Sequence, residues 1–224
     1  MNITKKKDHY YLIDGSGYIF RAYYALPPLT RKSDGLPTGA VSGFCNMLFK
    51  LLQDATSEQN ESKPTHFAVI FDSARKNFRN QIYPNYKANR SDAPDDLIPQ
   101  FEYIRKSVNA FNLPSKELIN YEADDLIATY SEQILKEGAE VTIISSDKDL
   151  MQLYKKNIRI FDPMKSKFIN DEDISNKFGV SPDKIFIKVL FPAPLGPNKP
   201  NISFSFTSKF KLFKAWMDLL PFLE

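Results

Sequence analysis

Residues 140–149 read EVTIISSDKD, a short apolar run followed at once by two aspartates. Runs of about four to eight mostly apolar residues are typical of strands buried in a parallel sheet. The same arrangement recurs in residues 10–14, YYLID, and in residues 67–72, FAVIFD. The repeated pattern predicts an α/β fold in which an acidic side chain follows each of three buried strands.

A fourth acidic group opens a predicted helix. Residues 121–125 read YEADD, and apolar residues at helical spacing follow as far as Leu135, before a helix-stopping Gly138. Open α/β sheets bind ligands at the carboxyl ends of their strands, so we expect these acidic groups to surround one pocket. The candidate metal ligands are the seven acids of the four groups: Asp14, Asp72, Glu122, Asp124, Asp125, Asp147 and Asp149.

Seven carboxylates in one pocket repel one another unless cations neutralise them. At an effective dielectric of about 20, two carboxylates about 4 Å apart repel by roughly 4 kcal/mol, which is large beside a total stability of about 5–15 kcal/mol. Oxygen ligands favour hard ions such as Mg²⁺ or Mn²⁺, and two histidines make a histidine-rich zinc site unexpected. Each acid taken singly also fits a helix start or a turn, but their grouping favours a metal site.

Strand-like and helix-like segments alternate over the first 190 residues. The expected strands are residues 10–13, 66–71, 118–120, 140–145, 157–161 and 167–169. The expected helices are residues 40–52, 95–111, 122–135, 171–178 and 182–190. Alternation of this kind predicts a mostly parallel central sheet flanked by helices.

A basic segment, defined as residues 75–90, reads RKNFRNQIYPNYKANR and contains five cationic residues and no acid. Basic groups neutralise phosphates, and the interleaved aromatic rings can stack on unpaired bases. The segment begins three residues after Asp72, so it should overhang the acidic pocket. A solvated basic loop is the alternative, but the neighbouring metal site favours a phosphate clamp, with Arg21 as a further candidate contact.

Metal ions beside a phosphate clamp suggest phosphodiester hydrolysis. Two divalent ions can activate a water molecule and stabilise the leaving oxygen of an in-line displacement. No Ser-His-Asp or Cys-His arrangement competes with this interpretation. A PIN-like ribonuclease acting on single-stranded RNA remains an alternative, because such enzymes use a similar acidic pocket.

The composition favours a protein of a reducing compartment. The single cysteine, Cys45, excludes an internal disulfide framework. No signal-peptide pattern and no apolar stretch of about 18 residues is visible. We therefore expect a soluble, cytoplasmic monomer that needs no membrane and no small-molecule cofactor.

Several motifs resemble those of one known family, the 5′-nuclease domain of bacterial DNA polymerase I, a relative of the flap endonucleases. The matching stretches occur in family order between about residues 8 and 188. They are LIDG at 12–15, TGAVSGF at 38–44, FD at 71–72, FR at 78–79, YKANR at 86–90, YEADD at 121–125, SDKDL at 146–150 and KFGVSP at 177–182. Together these stretches are highly specific, although any one alone would be weak.

The resemblance implies a PIN-like α/β fold with a helical arch over a site for two metal ions. In the family, five positions surround the first ion, and here they are occupied by Asp14, Asp72, Glu122, Asp124 and Asp125. The positions of Asp147 and Asp149 help to hold the second ion. The implied cofactor is Mg²⁺ or Mn²⁺.

The same resemblance implies which residues contact DNA. The residues that match Tyr86, Lys87 and Arg90 lie at the base of the arch and engage the scissile phosphate, so Lys87 and Arg90 are the expected catalytic side chains. The residue that matches Arg79 contacts DNA. The implied activity is 5′-to-3′ exonuclease and 5′-flap cleavage, with DNA 5′ ends or flaps as partners.

The sequence departs from the family after PDKI at residues 182–185. The family continues with a Gly-Asp-x-x-Asp-Asn segment and a helix–hairpin–helix, whereas residues 191–197 read FPAPLGP. We therefore expect a nuclease domain at residues 1–188, a separate tail at 189–224, and a second ion held by Asp147, Asp149 and water alone. A non-catalytic remnant that binds DNA is the corresponding alternative.

Overall fold

The structure is a computed structural model that describes residues 7–58, 60 and 62–184. It divides into two units between Ile169 and Asn170. The first unit contains the β-sheet described below, and the described residues of the second contain an α-helix and a 3-10 helix at Pro182–Lys184. The tail expected at residues 189–224, the boundary expected at residue 188 and most of the helix expected at 182–190 lie outside the described residues.

Within the described residues, the sheet has six strands in the order β3-β2-β1-β4-β5-β6. The strands are β1 His9–Asp14, β2 His66–Ile70, β3 Ser115–Lys116, β4 Glu140–Ile144, β5 Ile158–Asp162 and β6 Lys167–Phe168. The first five pair in parallel, and β6 pairs antiparallel with β5. The predicted mostly parallel sheet is confirmed.

One predicted strand was misplaced. Residues 118–120 form a turn, and the third strand lies earlier, at Ser115–Lys116. Asn120 has a left-handed φ of 72°, which a strand does not allow. The carbonyl of Leu118 accepts hydrogen bonds from the Ser73 hydroxyl and the Tyr121 amide, so its partners are those of a turn.

Among the described residues, the helices of the first unit are α1 Gly15–Ala25, α2 Gly39–Thr56, α3 Phe78–Ile82, α4 Gln100–Ala110 and α5 Ala123–Lys136, and the second unit contains α6 Asp171–Phe178. Helices α1 and α3 were not predicted from the sequence, and the predicted start of α4 was five residues too early. Proline disfavours a helical conformation in the residue before it, and α4 begins directly after Pro99.

A continuous hydrophobic core lies between the sheet and helices α1, α2 and α4. Phe44 of α2 is fully buried and stacks on Phe71, with ring centroids 6.2 Å apart. Ile13 of β1 and Ile104 of α4 belong to the same core and are fully buried. Among the described residues, no helix combines the length and the apolar character that a membrane span requires.

The junction of β1 and α1 depends on a close backbone approach. A Cβ added to the buried Gly15 would lie 2.5 Å from Cε1 of Phe71 and 2.9 Å from Cγ1 of Val69. A side chain of any size would therefore force apart β2 and the start of α1. Glycine at this position keeps Asp14, the preceding residue, at the carboxyl end of the central strand.

Candidate active site

Parallel strands bring four acidic segments to the same edge of the sheet. Asp14 is the last residue of β1, and the strand register places it beside Ile70 at the end of β2. Asp72 and Asp147 follow β2 and β4 within three residues. Glu122 is the N-cap of α5. The predicted convergence of the acids from different strands is therefore seen in the fold.

Asp14 connects the ends of two strands and the start of α1. Its side chain is 6% exposed, and its Oδ1 accepts a hydrogen bond of 2.8 Å from the Gly17 amide. Its Oδ2 accepts a hydrogen bond of 2.8 Å from the Ser145 hydroxyl, whose oxygen accepts one from the Asp147 amide. Burial raises the pKa of Asp14, and the two hydrogen bonds to its carboxylate oppose that rise.

Asp72 and Asp124 complete the inner part of the site. Asp72 Oδ1 accepts a hydrogen bond of 2.6 Å from the Ala123 amide at the start of α5. Asp124 is one residue further along that helix. Burial raises its pKa to about 8, and nearby carboxylates contribute to the rise. These carboxylates are Asp14, Asp147, Asp72 and Glu122.

Two of the seven acids are already paired with cations of the basic segment. Arg79 donates from Nη1 to Asp125 Oδ2 at 2.8 Å and from Nη2 to Asp125 Oδ1 at 2.5 Å. Lys87 Nζ donates to Glu122 Oε1 at 2.6 Å, and the Tyr86 hydroxyl donates to Glu122 Oε2 at 3.1 Å. Burial lowers the pKa of Lys87, but the hydrogen bond and charge of Glu122 raise it by more.

Six of the seven acids therefore fall into two sets. Glu122 and Asp125 have basic partners. The other four, which we call the acid group, form no ion pair within the described residues. The acid group consists of Asp14, Asp72, Asp124 and Asp147. Among the described residues, no three aspartate, glutamate, histidine or cysteine side chains are arranged so that they could hold one ion.

Asp149 stands apart from the acid group. Asp147 and Asp149 were expected to hold a second ion together, but a 3-10 helix, Asp149–Leu153, begins at the second of them. The turn forms because the Asp149 amide donates to Asp147 Oδ1 at 2.8 Å. The Asp149 side chain is exposed.

The basic segment lies over the acids, as expected from its position after Asp72. A helical arch was expected here, and the basic segment forms the five-residue helix α3. Residues 84–90 form turns, and Lys87 has a left-handed φ of 53°. Arg90 is exposed, and its carbonyl accepts a hydrogen bond from Arg75. The structure thus brings Arg79, Tyr86 and Lys87 to the acids, but not the side chain of Arg90.

Arg21 borders a cavity of about 310 Å³ that is also lined by Asp14, Ser145 and Asp147. Its Nη1 atom is buried and, in the part of the chain that the structure describes, has no hydrogen-bond partner. An unpaired guanidinium nitrogen can donate to a phosphate oxygen. The expectation that Arg21 contacts nucleic acid remains a prediction.

Two serines that the sequence analysis missed organise the acids. Ser145 links Asp14 to the Asp147 amide, and Ser16 accepts a hydrogen bond of 2.9 Å from the Asp72 amide. Both serines lie within two residues of a predicted metal ligand, at the carboxyl end of a strand. That position was the available signal for their role.

The sequence and the fold of this chain are similar to those of known proteins. Residues 9–179 match the family model described as "5′-3′ exonuclease, N-terminal resolvase-like domain". The chain is 59% identical over 181 residues to DNA polymerase I of Rhizobium leguminosarum, which covers 81% of this chain and 18% of that protein. It is 40% identical over 175 residues to a 5′-3′ exonuclease of Aquifex aeolicus (strain VF5), which covers 78% of this chain and 58% of that protein.

The chain thus spans less than two thirds of the length of either relative. A solved structure of T5 5′-exonuclease with bound zinc ions is similar in fold, with a TM-score of 0.62 and 18% sequence identity. The match covers 96% of this chain and 79% of that one. The fold is therefore the one that the motifs implied.

Proposed function

The chain belongs to the 5′-3′ exonuclease family, and we propose that it hydrolyses DNA phosphodiester bonds at 5′ ends and 5′ flaps with the help of divalent metal ions. One observation carries the proposal: four carboxylates without cationic partners among the described residues lie at one edge of the sheet, and basic and aromatic side chains lie beside them. The arrangement offers oxygen ligands to a cation and donors to a phosphate.

The chemistry of the acid group fits a hard divalent ion. Its donors are all carboxylate oxygens, which favour Mg²⁺ or Mn²⁺. Burial, and after it the neighbouring carboxylates, raise the pKa of Asp124, and a bound cation would favour its charged form. Asp14, Asp72, Asp124 and Asp147 would hold the first ion. Asp147 and Asp149, together with water, are the proposed ligands of a second.

Each part of the site has a separate task. Bound ions would activate the attacking water and stabilise the leaving oxygen. Lys87 and Tyr86 would orient the scissile phosphate, because both already donate hydrogen bonds to a carboxylate, Lys87 to Oε1 and Tyr86 to Oε2 of Glu122. Arg21 would bind a neighbouring phosphate from the cavity that it lines. The exposed Arg90 would approach the phosphate when DNA is bound.

A cleavage assay tests the proposal. The purified chain should cut a 5′-flap duplex in Mg²⁺ but not in EDTA, and Asp72→Ala should not cut it at all. Asp54→Ala, which changes an exposed aspartate on α2, is the matched control and should cut normally. Equal cutting by the wild type and Asp72→Ala would refute the proposal. A preference for single-stranded RNA in a parallel assay would favour the ribonuclease alternative.

Replacing Lys87 by alanine should lower the cleavage rate by about 10²–10³-fold, because one charged donor to the developing negative charge is lost. The rate is measured under single-turnover conditions at saturating Mg²⁺. Lys76→Ala removes an exposed lysine from the same basic segment and should change the rate by less than about threefold. If the two variants lost equal activity, Lys87 would contribute only to the general positive charge.

A further inference from the structure

The seven acids were expected to act together as metal ligands, but Asp125 has a different environment from Asp124, its neighbour in α5. Adjacent residues of a helix point in different directions, about 100° apart. Asp124 lies in the field of the acid group, whereas Asp125 faces Arg79. The two carboxylates of this Asp-Asp pair are therefore separated in structure and in charge.

Both carboxylate oxygens of Asp125 are already used. Oδ1 accepts from Arg79 Nη2 at 2.5 Å, and Oδ2 accepts from Arg79 Nη1 at 2.8 Å and from the Glu122 amide at 3.1 Å. Two parallel N–H···O bonds of this kind are the strong, bidentate form of an arginine–carboxylate pair. A metal ion at Asp125 would compete with the largely buried guanidinium of Arg79 for the charge of this carboxylate.

Arg79 is held from several sides. Its side chain is 18% exposed, and its Nη1 lies 3.4 Å from Glu122 Oε2. Its guanidinium lies 4.7 Å from the centre of the Phe78 ring and 5.7 Å from the centre of the Tyr86 ring. The aromatic faces stabilise the cation. The pair with Asp125 fixes the basic segment to the start of α5. The hydrogen bond from the Tyr86 hydroxyl to Glu122 is a second contact between them.

We propose that Asp125 is a positioning residue: through its bidentate pair with Arg79 it holds Tyr86 and Lys87 over the acid group, and it does not bind the metal ion. The inference rests on the proposed function for its meaning in catalysis. The distinction between residues that bind the ion and a residue that positions the basic segment does not depend on catalysis, because binding measurements alone can test it.

The test compares Asp125→Asn with Asp124→Asn in three measurements. These are Mn²⁺ affinity by titration calorimetry, 5′-flap DNA affinity by fluorescence anisotropy in EDTA, and cleavage rate. We expect Asp125→Asn to change the Mn²⁺ dissociation constant by less than about twofold and to weaken DNA binding by about tenfold, because charge-assisted hydrogen bonds are lost. Asp124→Asn should weaken Mn²⁺ binding by more than about tenfold, because it removes a charged oxygen ligand.

Arg79→Gln removes the same pair from the other side and keeps the inference testable if Asp125→Asn does not fold. It should weaken DNA binding at least as much as Asp125→Asn, because Arg79 is also an expected DNA contact, and it should leave Mn²⁺ affinity unchanged. The double variant should bind DNA no more weakly than Arg79→Gln, since the two residues act as one unit. A loss of Mn²⁺ affinity in Asp125→Asn equal to that in Asp124→Asn would overturn the inference. If the wild type cleaved no DNA, the proposed function would fail, but the two binding measurements would still decide the role of Asp125.

Discussion

Asp124→Asn should lower the cleavage rate by about 10³-fold or more, because the polarising effect of a metal ion is worth several kcal/mol of transition-state stabilisation. The substitution keeps the size of the side chain but removes a charged ligand from the middle of the acid group. The rate is measured on a 5′-flap substrate at increasing Mg²⁺ concentrations. If the Asp124 carboxylate orients the ion, the cleavage rate should stay low at high Mg²⁺ concentration. If this carboxylate only increases the affinity for the ion, high Mg²⁺ concentration should partly restore the rate.

The matched control is Asp54→Asn, an equal change of charge at an exposed position on α2. It should leave the rate within about twofold of the wild type, because an exposed charge outside the site interacts weakly with it. Circular dichroism at neutral pH shows whether both variants are folded. A folded Asp124→Asn protein that cleaves at the wild-type rate would exclude this side chain from the proposed site.

The same substitution should stabilise the metal-free protein at high pH. In the folded chain the pKa of Asp124 is raised from 3.8 to about 8, by burial first and then by the neighbouring carboxylates. The folded state therefore keeps a proton that the unfolded state has lost, so stability falls as the pH rises from about 4 to about 8. Asp124→Asn removes this ionisation and should raise the free energy of unfolding at pH 8 by a few kcal/mol. The difference between the folded and unfolded pKa of Asp124 sets the upper bound of this gain.

Urea unfolding in EDTA between pH 5 and about pH 8.5 measures the effect, with the slope of stability against pH as the observable. The wild type should lose stability over this range, and Asp124→Asn should lose much less. Adding Mg²⁺ should restore the wild type at pH 8, because an ion that binds only the folded state stabilises it by mass action. Parallel pH curves for the two proteins would contradict the raised pKa.

Several features of the fold could be predicted because they depend on local patterns. The apolar run at residues 140–145 is too short for most helices and too apolar for a loop, and it forms β4. Asp14 and Asp72 follow two other apolar runs, and the parallel pairing of β1 and β2 brings them to the same edge of the sheet. Helix α1 was missed because residues 15–17, GSG, have low helix propensity. Its stability comes from the Asp14 cap and the burial of Tyr18 and Ile19.

The division of the acids into two sets could not be predicted from the sequence. Arg79 and Asp125 are 46 residues apart, and Lys87 and Glu122 are 35 residues apart. No local rule selects such partners among the cations of the basic segment. The turn at Asp149 was also missed, because the hydrogen bond from its amide to Asp147 competes with an extended chain. Proximity in the fold decides these contacts.

The position of the basic segment within the topology separates two functions of the protein. The segment lies in the crossover between β2 and β3, after Asp72, whereas the other three residues of the acid group, Asp14, Asp124 and Asp147, lie in β1, in α5 and after β4. Connections on the surface tolerate changes of length and sequence better than the elements that they join. If the proposed function holds, substrate choice can therefore diversify in the part of this crossover that follows Asp72, while the edge of the sheet proposed to bind cations remains unchanged.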